Sequence, residues 1–113
     1  MRYLFLIGSS PDMTESSAAD DGPTIEEWVG EVYGGGAGKI GDRLRPASEA
    51  TTVRVRGGET LVTDGPFVEG SDYIGGFDVI ECADLDEAIA IARKHPMARH
   101  GLIEIRPSWP LDL

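Results

Sequence analysis

A chain of 113 residues, 41% hydrophobic and 27% charged, is long enough to bury a core and too apolar to stay disordered. Surface scaling takes about two-thirds of the unfolded chain's surface out of water. A formal charge of −10 argues against a phosphate backbone or an anionic membrane as partner, since none of the ten Lys and Arg falls between Tyr3 and Gly38.

No apolar run approaches the ~18 residues of a membrane span, and Met1 to Ile7 is too short for a signal peptide. Cys82 is the single cysteine, so no internal disulfide forms. With His95 and His100 the only histidines, a metal site is poorly supplied. The expectation is one domain over 1–113, cytoplasmic, with no metal and no cofactor.

Arg2 to Ile7 is rich in strand formers and opens the chain as a strand. Gly8 to Pro23, full of Ser, Asp, Gly and Pro, reads as a surface loop. Thr24-x-x-Glu27 has capping-box spacing. Ile25, Trp28, Val29 and Val32 then recur as one helical face, with Tyr33 beside it and Gly34-Gly35-Gly36 ending it. Trp28 suits a core or interface filler, or a ligand wall.

Ala37 to Leu44 is a weaker strand, whose Gly38 and Gly41 point to a bulge or a close backbone approach. Gly34 to Lys39 is not a phosphate loop, because Ile40 stands where Ser or Thr is needed and the stretch follows a helix. Thr51 to Arg56 and Glu59 to Thr63 alternate around Gly57-Gly58 as a hairpin. Asp64-Gly65-Pro66-Phe67 is a tight turn, and Tyr73 to Ile80 is the next strand. Asp84-x-x-Glu87 opens a second helix with its apolar stripe on Leu85, Ala88, Ile89 and Ala92, which Pro96 is expected to stop. Leu102 to Arg106 is the last strand, and Ser108 to Leu113 is a tail that docks by Trp109 or frays.

Without the hairpin this order is β-α-β-β-α-β, the split pattern of an α+β ferredoxin-like sandwich. Two helices cover one face of the sheet. The other face needs cover too, and a second copy would supply it, so a homodimer is expected.

Several pieces stand together in this order: Leu44-Arg45-Pro46, the hairpin, Thr63 leading into Asp64-Gly65-Pro66-Phe67, Gly75-Gly76-Phe77, Asp84 to Ala88, His95-Pro96 and Ile103 to Pro107. With them the sequence resembles the YCII-related family, in its DGPF subgroup. Between Gly30 and Gly41 it departs, since similar proteins carry a longer helix and less glycine there. The resemblance implies a ferredoxin-like fold with an extra hairpin in a dimeric α/β-barrel-like assembly. It also implies suspected enzymatic activity through a His and an Asp in a pocket. The family's histidine usually sits in the opening helix, where this sequence has none. Some similar proteins are linked to sigma factors, yet nothing in these residues supports contact with nucleic acid.

Two residues are candidates for proton transfer. Asp64 serves either as an Asx-turn or as an acid/base group. His95, read as lying in the last turn of the second helix where the dipole favours its charged form, is either a cap or a titrating pocket residue. Arg43 is the candidate anion binder, for a small carboxylate or phenolate, or else pairs with a surface acid. Phe67 and Tyr73 are candidate pocket walls. Three functions stay open: a small-molecule enzyme with acid/base chemistry in a dimer cleft, a ligand-binding or sensing module, and a protein-interaction module linked to sigma-factor regulation.

Overall fold

A computed structural model describes residues 1–9, 22–66 and 73–112. The loop expected from Gly8 to Pro23 lies, over 10–21, outside the described residues, as does Phe67. The elements run β1 (Arg2–Ser9), α1 (Ile25–Gly34), β2 (Gly38–Arg43), a 3-10 turn (Ala47–Glu49), β3 (Thr51–Arg56), β4 (Glu59–Asp64), β5 (Tyr73–Glu81), α2 (Leu85–Ala92), α3 (Pro96–His100) and β6 (Leu102–Pro107).

Both helix starts follow from local chemistry. The Thr24 hydroxyl accepts from Glu27 N at 3.1 Å, and Glu27 Oε1 accepts from Thr24 N at 3.2 Å, closing the capping box. Asp84 Oδ1 accepts from Glu87 N at 2.9 Å at the head of α2. Pro96 does not end α2, which already stops at Ala92. It occupies the first position of α3, where its missing N–H is no loss.

Four strands form an antiparallel sheet in the order β2-β5-β1-β6. Each helical connection steps over one strand: α1 links β1 to β2 past β5, and the α2–α3 pair links β5 to β6 past β1. Among the described residues, strands β3 and β4 pair only with each other, from Thr51↔Asp64 to Arg56↔Glu59. Their turn needs positive φ at both Gly57 (+58°) and Gly58 (+81°), which only glycine adopts freely.

This corrects the expected ferredoxin-like sandwich in a dimeric barrel-like assembly. The fold is mixed α/β with two small sheets, and neither is closed into a barrel. Closure requires each edge strand of a sheet to pair with another strand. Here four strands leave β2 and β6 as open edges, and the hairpin does not extend the sheet.

Alternation sorts the sheet's faces. Tyr3, Phe5, Ile80 and Cys82 are buried with Trp28 and Val32 of α1 and Ala88 and Ala92 of α2. Trp28, Phe5 and Ile80 are fully buried. The Trp28 indole N–H donates to Ile91 O at 2.9 Å, so the largest core side chain also ties α1 to α2. On the opposite face Leu4 lies across from Val79 and Leu6 across from Phe77, all half-buried, with Ile40 exposed beside Val79.

No helix among the described residues is long and apolar enough to cross a membrane.

Candidate active site

The glycines of β2 set the geometry. The β2–β5 register slips between Gly38 and Ile40, a bulge of the kind the glycines predict. A Cβ at Gly38 would lie 2.7 Å from carbons of the Tyr33 ring. One at Gly41 would collide with the Tyr33 hydroxyl and Asp78 Oδ1. Bare backbone at these points lets the Tyr33 ring lie against β2 and deliver its hydroxyl to the Asp78 carboxylate.

Around this pair is a half-open cavity of about 560 Å³. Its floor is the helix-covered face of the sheet. In one row Phe5, Asp78 and Gly41 lie side by side, and in the next Ile7, Gly76 and Arg43. Gly76 adds no side chain to that floor, and Gly41 lies under the Tyr33 hydroxyl and Asp78. Ile25, Trp28 and Val29 of α1 form one wall, with His95 and Met97 closing another side. Ile25 and Val29, expected on the buried stripe of α1, are 43% and 42% exposed because they stand at the cavity's rim.

The polar groups carry unusual proton affinities. Burial lifts the Asp78 carboxyl above its ordinary 3.8, while the Tyr33 hydrogen bond pulls in the other direction. Burial raises Tyr33 as well, as do its hydrogen bond to Asp78 and the Asp78 and Asp42 charges, so its hydroxyl stays a donor.

His95 is not in the last turn of α2. It is the N-cap of α3, and its Nδ1 accepts from Met97 N at 2.9 Å. That bond requires Nδ1 to be unprotonated and puts the ring hydrogen on Nε2. At this end of a helix the dipole opposes a positive ring. Burial, then the Arg99 charge, lowers the His95 pKa. The ring packs edge-on to Trp28, with centroids 4.6 Å apart, and lines the cavity. Nε2 has no partner among the described residues.

The sequence candidates divide. His95 and Arg43 both line the cavity, Arg43 exposed and without an ion-pair partner among the described residues. Asp64 ends β4, exposed on the separate hairpin, and is not among the cavity's lining residues. Tyr73 enters as the first backbone position of β5. The acid that meets His95 in the cavity is Asp78, which the sequence reading passed over. The signal for it was present: Asp78 is two residues before Ile80 and two after Gly76, on the inward face of a strand. An acid on that face needs a reason.

Among the described residues no group of three His, Cys, Asp or Glu is placed to hold a metal ion. Residues 1–112 match the YCII-related domain family. The chain is also 47% identical over 75 residues to a Rhizobium meliloti (strain 1021) protein named "Uncharacterized protein R00369". That alignment takes in 63% of this chain and 60% of the relative, so the relative extends well beyond the matched part.

Proposed function

The chain belongs to the YCII-related domain family, and from its cavity we propose a small-molecule enzyme that works by moving a proton. Within the family, the Asp64-Gly65-Pro66-Phe67 tetrad supports a place in the DGPF subgroup. One observation carries the catalytic reading. One cavity, walled on its helix side by Ile25, Trp28 and Val29, gathers a carboxylate of raised pKa, a phenol that holds it, and a neutral imidazole donor.

In this reading Asp78, as carboxylate, takes a proton from the carbon next to a substrate carbonyl. The C–H electron pair moves onto the carbonyl oxygen. The resulting enolate accepts a hydrogen bond from the His95 Nε2–H. The Asp78 carboxylic acid then returns the proton to another carbon of the same conjugated unit. One hydrogen changes place and nothing is oxidised. Tyr33 is a positioning residue that holds the carboxylate in line. Burial favours this chemistry because a carboxylate lifted toward neutrality is a stronger base than an ordinary one.

Deuterium exchange tests the reading without knowledge of the product. Enolisable ketones and keto acids are incubated with the protein in D2O, and C–H loss is followed by NMR. At least one compound is expected to exchange, with Asp78→Asn slower by about 100-fold or more. Binding without exchange for every compound sinks the enzyme and leaves a ligand-binding module.

A second copy of the chain is the proposed partner, in a cytoplasmic setting. The hairpin supports it: Val53, Val55 and Val62 share one face and are 62%, 59% and 61% exposed. A two-stranded ribbon with an apolar face is marginal alone.

A further inference from the structure

The cavity's charges are unevenly supplied. Arg43 is its one cation among the described lining residues, against the carboxyls of Asp42 and Asp78. Among the described residues Arg43 pairs with neither in a salt bridge, and the residue is exposed. A cation left free beside two acids is open to an anion from outside. The two acids set a limit on that anion: each negative charge beyond the one that Arg43 meets adds repulsion, so a singly charged group is favoured over a doubly charged one.

Register then sets how far apart the backbone carries Arg43 and Asp78. Gly41 and Asp78 lie directly opposite each other, and Arg43 is two residues along β2 on the same face. With ordinary strand spacings the Arg43 and Asp78 Cα atoms are about 8 Å apart. A single ligand the size of one ring and its substituent spans that gap. Between them the floor is the bare backbone of Gly76, since Gly41 lies under the Tyr33 hydroxyl and Asp78, and Trp28 and Val29 of α1 line the same cavity.

We infer that the cavity takes a small organic monoanion, a carboxylate on a flat apolar body, with Arg43 as the anchor of its charged end. The inference rests on the reading of the cavity as a small-molecule site, and it names the class of molecule. Arg43 binds and orients the ligand; it takes no part in moving the proton. The carboxylate lies at the β2 edge, and the opposite end of the body reaches Asp78 and His95.

Trp28 reports occupancy by its fluorescence. The only other tryptophan, Trp109, is 94% exposed and is removed by Trp109→Phe without disturbing packing. In that background the probes are benzoate, benzamide and phenyl phosphate. Benzoate is expected to change Trp28 emission saturably. Arg43→Gln is expected to weaken benzoate at least tenfold and leave benzamide unchanged. Because Arg43 is exposed and has no ion-pair partner among the described residues, the substitution is expected to leave the fold intact. Equal loss of benzoate and benzamide in Arg43→Gln overturns the anchor. So does benzoate binding that ignores the substitution. Phenyl phosphate binding more tightly than benzoate overturns the monoanion. Benzamide binding where benzoate does not overturns the inference and spares the cavity as a small-molecule site. No response to any probe overturns both.

Discussion

The four-stranded sheet and the β3–β4 hairpin are built from the same material: alternating apolar and polar residues, antiparallel pairing, glycine at the bends. Their fates differ because of what lies above them. Tyr3, Phe5 and Ile80 are covered by α1 and α2 and are almost wholly buried. Val53, Val55 and Val62, in strands just as regular, stay about three-fifths exposed. Pairing shapes a strand, but a second layer is what turns its apolar side into a core. Glycine also serves the two regions differently. In the hairpin it permits a turn. In β2 it clears space for Tyr33, and there the sheet acquires a site.

Three measurements break or sharpen that contrast. The largest effect belongs to the covered sheet. Trp28→Ala removes a fully buried side chain and its bond to Ile91 O, at an expected cost of about 3–5 kcal/mol in urea unfolding. A loss below about 1 kcal/mol would mean that α1 contributes little to the core.

The next is a dependence on pH. Burial raises the Asp78 carboxyl, so the folded chain holds that proton to higher pH than the unfolded chain does. The contribution to stability is whole below the ordinary carboxylate pKa of 3.8 and is lost as pH rises through the folded value. Asp78→Asn keeps an oxygen to accept from Tyr33 and cannot ionise. Denaturation midpoints measured from about pH 4 to pH 8 should fall less for Asp78→Asn than for the wild type. Parallel curves would place the carboxylate in water. His95 acts at the other flank, because its lowered pKa makes stability drop as pH falls below its ordinary 6.5; comparing Asp78→Asn with the wild type removes that shared slope.

The smallest effect on folding belongs to the hairpin. Val62→Thr alters an exposed side chain, and in the single chain it should cost less than about 0.5 kcal/mol. Its expected effect is on assembly: light scattering at micromolar concentration should give the mass of two chains for the wild type and a lower mass for the variant. A wild-type mass of one chain removes the second copy as partner.

What could be read from the sequence was mostly local. Thr24 and Asp84 announce their helices because a cap and its N–H partner are three residues apart. Gly57-Gly58 announces its turn in the same way. Pro96 misled because proline both follows one helix and begins the next, and only packing decides which. That error also placed His95 at the positive-favouring end of one helix, when it caps the opposite end of another. The cavity is harder still to read. Tyr33 and Asp78 are 45 residues apart in the chain, and nothing local relates them until α1 lies across β2. Asp64, by contrast, stood out through a distinctive tetrad and sits away from the cavity lining.

The bulge in β2 has one more consequence. This strand is an edge of the sheet, and a flat edge offers an unbroken row of N–H and C=O groups to any stray strand. The slip between Gly38 and Ile40 breaks that row, and the exposed Lys39 lies within it. The irregularity that gives Tyr33 its place therefore makes β2 a poor template for intermolecular pairing, protecting the chain from aggregation along the edge nearest its cavity.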